Sequence, residues 1–222
     1  MGHRQLTAAD GFSFGAYEAL PTGKPRGSVL IIQEIFGVNQ HIRGVADGYA
    51  KAGYAALAPQ IFDRAEPNVE LGYTDQDEFQ KGIKLAFQDL KMPQTLLDLQ
   101  AAIDALSAYG RVGVVGYCFG GLLTWLSACD LNGVAAASAY YGGGTAREAH
   151  RAPKCPVIMH FGERDAHIPL SEVEAIRHAQ PAVEVSVYPA DHGFNCDERA
   201  SYDAASASLA QQRTLAFFAK HL

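Results

Sequence analysis

A cysteine between two glycines stands where an apolar segment gives way to a leucine-rich one. Residues 111–121 read RVGVVGYCFGG. Gly116, Cys118 and Gly120 form the pattern G-x-C-x-G, the cysteine version of the nucleophile elbow, in which a sharp strand-to-helix turn exposes the nucleophile. A helix N-terminus favours a thiolate, and the N–H of Phe119 is placed to stabilise an oxyanion. We therefore interpret Cys118 as a nucleophile; the alternative is a small buried hydrophobe.

A thiol nucleophile generally needs a base, and the base needs an orienting group. In elbow-type folds the chain order is nucleophile, acid, histidine, with the last two after later strands. Asp165 lies 47 residues after Cys118, and His192 lies 27 residues after Asp165. Alone, Asp165 could be a turn residue and His192 a surface histidine. Their order, and their positions beyond apolar runs, predict a Cys118–Asp165–His192 triad, with Asp191 as the weaker candidate for the orienting acid.

A metal site is a second interpretation of the region around the predicted acid. His160, Glu163, Asp165 and His167 lie close together in the sequence. Their spacing matches no zinc motif, and His160 belongs to an apolar run that reads as a strand. The sequence therefore predicts no metal and no cofactor.

Apolar runs alternate with amphipathic segments along the chain. Near-continuous apolar runs, typical of parallel strands covered on both faces, occupy 27–34, 54–59, 111–117, 134–141, 156–161 and 183–188. Helical periodicity or position favours helices at 93–109, 120–129, 170–179 and 202–222. This alternation predicts an α/β fold, with a mostly parallel central sheet and helices on both faces. The weakly periodic segment 62–82 is predicted to be a loop or cap over one end of the sheet.

The composition is that of an ordinary globular chain. Among 222 residues, 48% are hydrophobic and 19% charged, and the net charge is −6, so nothing favours a nucleic-acid or anionic membrane partner. Four cysteines are too sparse for a disulfide scaffold, the first six residues lack the apolar core of a secretion signal, and no run approaches the ~18 apolar residues of a membrane helix. We expect one domain over residues 1–222, in a cytoplasmic monomer or weak homodimer.

Taken together, these motifs resemble the dienelactone hydrolase (carboxymethylenebutenolidase) family of the α/β-hydrolase superfamily. The likeness covers nearly the whole chain and rests on QEIFG at 33–37, GYCFGG at 116–121, YYG at 140–142, the Asp165 loop and HGF at 192–194. It implies an α/β-hydrolase fold and hydrolysis of a lactone or ester through a thioester acyl-enzyme, with no metal or cofactor. It also implies that Glu34 contacts the resting thiol and helps to activate it, and that Ile35 supplies a second oxyanion N–H.

The substrate pocket departs from the family pattern, in which two arginines bind a substrate carboxylate. Near the first position stands Lys81, which lacks the planar fork for bidentate binding. Near the second stands Cys196, four residues after His192, and Arg199 follows three residues later, equally able to reach the pocket or to remain a surface charge. Tyr140 and Tyr141 could line the pocket, or they could pack as aromatic residues of the core. The candidate substrate-binding residues are Lys81, Tyr140, Tyr141, Phe194 and Arg199.

Other functions fit the same residues less well. A broader carboxylesterase, thioesterase or peptidase could use the same scaffold and triad. A non-catalytic ligand-binding domain could retain the pocket alone, and a redox sensor could use an activated Cys118. The order of the triad favours a hydrolase, with a small-molecule ester or lactone as its substrate.

Overall fold

An eight-stranded sheet forms the centre of the computed structural model, which describes residues 2–222. The strands are β1 (Gly2–Thr7), β2 (Ser13–Ala19), β3 (Ser28–Ile32), β4 (Ala55–Pro59), β5 (Val112–Tyr117), β6 (Val134–Tyr140), β7 (Val157–Gly162) and β8 (Glu184–Tyr188). Their spatial order is β1-β2-β4-β3-β5-β6-β7-β8. The β1–β2 and β2–β4 pairs are antiparallel, and the pairs from β4 to β8 are parallel. The predicted α/β fold with a mostly parallel sheet is confirmed.

Seven α-helices connect and cover the strands within the described part of the chain. They are α1 (Gln40–Lys51), α2 (Gln76–Lys84), α3 (Met92–Ser107), α4 (Phe119–Asp130), α5 (Thr145–Glu148), α6 (Leu170–Ala179) and α7 (Ala204–His221). A 3-10 turn at Ile61–Arg64 precedes α2, and a π-helical turn at Leu85–Asp89 continues it. Across residues 2–222, no helix combines the length and the apolar character needed to cross a membrane.

The predicted parallel strands all form, with ends that differ by one or two residues from the predicted ones. The four predicted helices correspond to α3, α4, α6 and α7. β1 was not predicted because it is an edge strand with exposed polar residues, and β2 because glycine, serine and glutamate interrupt its apolar residues. Helix α1 was missed because two interior glycines lower its helix propensity; the Asn39 side chain caps it by accepting the Ile42 N–H at 3.2 Å.

Segment 62–82 is only partly a loop, because most of α2 forms within it. Its predicted position is correct: Glu70 forms an antiparallel bridge with Gly37, just beyond β3, and Gly82 packs closely on the Ile35 carbonyl. The segment thus covers the carboxyl end of β3. The single domain over 1–222 stays a prediction, and its first residue, Met1, lies outside the described residues.

The strand ends are the feature of the fold that matters for chemistry. Because parallel strands share one direction, their carboxyl ends lie along one edge of the sheet, where open α/β sheets place their sites. Glu34 follows β3, Cys118 follows β5, Asp165 follows β7 and His192 follows β8. The topology therefore brings together residues that are up to 158 positions apart.

Candidate active site

Cys118 occupies the turn between β5 and α4 in a backbone conformation that non-glycine residues rarely adopt. Its φ is 55° and its ψ is −113°. The Cys118 N–H donates to the Tyr140 carbonyl at 3.0 Å, which ties the turn to the neighbouring strand. A Cβ on Gly116 would overlap the Gly120 carbonyl, and one on Gly120 would overlap the Ile32 carbonyl. The two glycines are therefore required by the close approach of backbones around the thiol.

The structure brings the three predicted triad residues into one hydrogen-bonded row. Cys118 Sγ lies 3.1 Å from His192 Nε2, and His192 Nδ1 lies 2.7 Å from Asp165 Oδ2. Asp165 Oδ1 accepts the backbone N–H groups of His167 at 2.8 Å and Ile168 at 3.1 Å, which fixes the carboxylate. The Asp165 side chain is fully buried, whereas the thiol is partly exposed and so open to a substrate.

The electrostatics of this row favour a charged imidazole. Burial by itself lowers the pKa of His192, but the neighbouring Cys118 sulfur and the Asp165 carboxylate outweigh it and raise that pKa to about 10. A protonated imidazole in contact with sulfur stabilises a thiolate. The arrangement can therefore place a protonated imidazole against the Cys118 sulfur.

Both alternatives considered around the acid are wrong in this structure. The Asp191 carboxylate is about half exposed and lies 3.7 Å from Arg164, so Asp165 is the residue on the imidazole. His160 is enclosed in the core, where Nδ1 contacts the Tyr188 hydroxyl at 2.8 Å and Nε2 contacts Thr214 at 3.0 Å. With both ring nitrogens occupied, His160 offers no lone pair to a metal beside Asp165.

Glu34 is buried next to the triad, but its contacts differ from those implied by the resemblance. Its Oε2 accepts a hydrogen bond from the Tyr73 hydroxyl at 2.9 Å, and its Oε1 lies 3.6 Å from the Arg199 guanidinium. The Cys118 sulfur is turned instead toward His192, because the imidazole offers it a charged hydrogen bond. The expected contact between Glu34 and the resting thiol is thus replaced by the contact with His192.

Arg199 reaches this region rather than remaining a surface charge. Its side chain is about one-fifth exposed, and its guanidinium lies 5.9 Å from the ring centroids of both Phe36 and Tyr73. Burial opposes the charge on Arg199, but the Glu34 carboxylate, and then Cys118, raise its pKa. Arg199 therefore keeps a buried positive charge close to the nucleophile.

The other predicted substrate-binding residues are divided between site, core and surface. The Tyr141 ring packs 5.1 Å from the His192 ring. Tyr140 is wrongly predicted: its hydroxyl bonds Thr214 inside the core. Phe194 is also fully buried, among tyrosine rings, so it supports the site from behind. The Lys81 ammonium lies on the surface, 2.6 Å from the Glu66 carboxylate. Its charge is therefore paired with Glu66 and is not free to bind a substrate.

Sequence reasoning missed two side chains beside the site. Tyr73 binds Glu34 from the covering segment, where weak periodicity gave no signal. Phe87 lies on the π-helical turn, is 61% exposed, and packs edge-on against Phe119 at 5.3 Å. Phe87 therefore presents an exposed aromatic ring directly beside the elbow. The positions of Tyr73 and Phe87 depend on how the segment around α2 packs on the strand ends, which the local sequence does not indicate.

Comparison with known proteins shows the family to which the chain belongs. Residues 14–222 match the model of the dienelactone hydrolase family. The carboxymethylenebutenolidase of Pseudomonas putida is 34% identical over 224 residues, covering 96% of this chain and 94% of that protein. A Synechocystis protein provisionally assigned the same name is 38% identical over 214 residues, covering 87% and 86%. A crystal structure from Klebsiella pneumoniae, provisionally assigned as a dienelactone hydrolase, has a TM-score of 0.83 at 34% identity, with both chains fully covered.

Proposed function

Because the chain belongs to the dienelactone hydrolase family, we propose that it hydrolyses carboxylic esters or lactones of small molecules through a Cys118–His192–Asp165 triad. Membership of the family makes it a hydrolase of ester or lactone bonds. The observation that carries the mechanism is the row from sulfur to imidazole to carboxylate, with separations of 3.1 and 2.7 Å.

Acylation begins with attack of the Cys118 sulfur on the substrate carbonyl. The sulfur–carbon bond forms as the carbonyl π electrons move onto oxygen, which gives a tetrahedral oxyanion. The backbone N–H groups of Ile35 and Phe119 are the proposed donors to this oxygen, and neither donates to another backbone group among residues 2–222. When the ester bond breaks, protonated His192 gives its proton to the leaving alkoxide.

Deacylation reverses these roles and restores the enzyme. Neutral His192 removes a proton from water, whose oxygen attacks the thioester carbonyl of the acyl-enzyme. Collapse of the second tetrahedral oxyanion breaks the carbon–sulfur bond, releases the acid and returns the thiolate beside a protonated imidazole. Asp165 stays ionised throughout, holding the tautomer of His192 and stabilising its cation.

Arg199 and Glu34 extend the proposal to the substrate. A buried guanidinium near the nucleophile attracts a substrate that carries its own carboxylate. Such an anion would compete with Glu34 for Arg199, and the freed Glu34 would lie close to the triad, where its charge favours protonated His192. Lys81 remains outside this proposal, because Glu66 already neutralises it.

A substrate panel with matched variants tests the function. Wild type, Cys118→Ala and Cys118→Ser are assayed in parallel with p-nitrophenyl esters, a dienelactone and an acyl thioester. We expect wild type to hydrolyse an ester or the lactone and Cys118→Ala to be inactive with an unchanged circular dichroism spectrum. Turnover retained by Cys118→Ala would disprove the mechanism. Preference for the thioester would instead favour the thioesterase alternative on the same triad.

A further inference from the structure

A second cluster of reactive side chains lies behind the triad. The carboxylate of Glu34, the imidazole of His41 and the sulfur of Cys196 each offer one ligand atom, and these three atoms lie within 4.8 Å of one another. All three residues are buried. Glu34 follows β3, His41 opens α1, and Cys196 lies in the loop after His192, so no local sequence motif announces the cluster.

Two of these side chains, Glu34 and His41, each have a polar atom without a hydrogen-bond partner. Glu34 Oε1 and His41 Nε2 are inaccessible to solvent and unpaired among residues 2–222. The opposite atoms are occupied: Tyr73 donates to Glu34 Oε2 at 2.9 Å, and the Asp197 carboxylate lies 2.9 Å from His41 Nδ1. Leaving a buried polar atom unpaired costs roughly 1–3 kcal/mol. Glu34 Oε1 has the Arg199 guanidinium as a charged neighbour at 3.6 Å, so it is the unsatisfied Nε2 of His41 that needs a chemical reason.

The bond to Asp197 fixes what His41 can do. A carboxylate at Nδ1 keeps the proton on that nitrogen, so the lone pair is on Nε2, the buried nitrogen that has no hydrogen-bond partner. A histidine held by a carboxylate on its far nitrogen is the usual arrangement of a metal ligand, in which the outer carboxylate orients the ring and raises its basicity. Tyr73 orients Glu34 in the same manner.

We propose that Glu34, His41 and Cys196 bind a thiophilic divalent cation of the zinc class. Thiolate, imidazole and carboxylate are the ligands that zinc prefers, and three of them leave a fourth position open. Zinc bonds of about 2.0–2.3 Å would place the ligand atoms about 3.3–3.8 Å apart. The observed cluster needs to contract by about 1 Å to close on the ion. As the metal–sulfur bond forms, the Cys196 proton leaves to solvent.

One charged group near the cluster, the Arg199 guanidinium, opposes the binding of a cation. The Arg199 guanidinium lies 3.6 Å from Glu34 Oε1, beyond hydrogen-bonding distance, and a cation would compete with it. One member of the cluster, His41, borders an acidic cavity. His41 lines a cavity of about 410 Å³ between α1 and α7, whose wall also carries the carboxylates of Asp197 and Glu198. These acidic groups raise the local concentration of cations beside His41, although Glu34 and Cys196 do not line the cavity.

Metal binding would have a consequence for the proposed hydrolase. Bound zinc would hold Glu34 and repel Arg199, the two charged groups placed next to the nucleophile. Turnover of an anionic ester would therefore fall as the site fills. This effect rests on the proposed function, whereas the binding itself does not.

The test uses the full chain with Cys118→Ala, which removes the catalytic thiol. Co²⁺ is titrated as a spectroscopic probe, and Zn²⁺ affinity is measured by competition with a chromophoric chelator. We expect a thiolate-to-cobalt charge-transfer band that Zn²⁺ abolishes. Adding Cys196→Ala should remove the band and weaken zinc binding at least tenfold, since losing an outer-shell partner alone costs roughly ten- to a hundredfold.

Two controls separate a built site from chance thiol binding. Cys118→Ala/Cys155→Ala removes a half-buried cysteine elsewhere and should leave the band intact. Asp197→Asn removes only the outer carboxylate and should weaken zinc binding roughly ten- to a hundredfold. Zinc should also raise the melting temperature of Cys118→Ala but not of Cys118→Ala/Cys196→Ala.

The proposal is overturned if Cys118→Ala gives no charge-transfer band, or if the band survives Cys196→Ala. Loss of the band on Cys155→Ala would equally overturn it. Because every measurement uses protein without the catalytic thiol, its outcome is independent of whether the chain hydrolyses esters.

Discussion

At the scale of single residues, the proposed mechanism depends on the contacts of one imidazole. His192 is held between the Cys118 sulfur and the Asp165 carboxylate, and these neighbours raise its pKa to about 10 despite burial. A cysteine buried for packing would have its pKa raised, as burial does to Cys129. Cys118 is distinguished from the buried Cys129 by its contact with the His192 imidazole.

The orienting role of Asp165 predicts a large kinetic effect. Asp165→Asn removes the charge that holds His192 in its tautomer, so kcat/KM for an ester should fall on the order of 10³–10⁴-fold. Initial rates with a chromogenic ester measure this. Asp191→Asn is the matched control, since Asp191 adjoins His192 in sequence but faces Arg164, and it should retain near-wild-type kcat/KM. Equal losses in both variants would contradict the assignment.

At the scale of elements, the elbow is where local sequence and structure agree most closely. The G-x-C-x-G pattern, the apolar strand before it and the helix after it specify one turn, and the structure has that turn at a φ of 55° for Cys118. Such strain at a functional site persists only where packing enforces it. Here Gly120 lies against the carbonyl groups of Ile32 and Gln33.

The packing around the elbow predicts the effect of a single methyl group. Gly120→Ala would drive a Cβ into the Ile32 carbonyl, so the free energy of unfolding should fall by about 1–3 kcal/mol or more. Gly44→Ala is the control: a Cβ there meets no atom within 4 Å, and the substitution should stabilise α1 by roughly 0.5–1 kcal/mol. Denaturant unfolding measures both. A neutral Gly120→Ala would mean that the elbow is not held by this contact.

The sequence predicted the parallel strands and the helices with clear periodicity, because both depend on local patterns. It did not predict β1 and β2, which lack a near-continuous apolar run, or α1, whose two interior glycines lower its helix propensity. The triad could be predicted because a known chain order links its members. Tyr73, Phe87 and His41 could not, since their positions depend on how α1 and the covering segment pack on the strand ends.

At the scale of the whole molecule, the core beneath the site contains a histidine that must stay neutral. Burial lowers the pKa of His160 to about 3, from an ordinary value of 6.5. Its ring nitrogens contact Tyr188 on β8 and Thr214 on α7, so it links the last strand and the last helix. Protonation would place a positive charge in the core with only neutral hydroxyl groups as its hydrogen-bond partners.

This linkage predicts acid sensitivity of the fold. Because the folded pKa lies below the unfolded value, the unfolded chain binds the extra proton as pH falls below about 6.5, and stability is lost in that direction. The His160 contribution to the free energy of unfolding should fall by about 2 kcal/mol between pH 7 and pH 5. Urea unfolding at both pH values measures it, with His160→Gln as the comparison. The same pH dependence in both proteins would contradict the assignment.

The central claim of a covalent intermediate on sulfur has a direct measurement. Wild-type enzyme is mixed with a p-nitrophenyl ester, quenched in acid within the first turnover, and mapped by peptide mass spectrometry. We predict one acyl group, attached as a thioester to Cys118 in the peptide that contains residues 111–121. Turnover with unmodified Cys118 throughout the time course, or an acyl group on another residue that forms and decays at the catalytic rate, would contradict it.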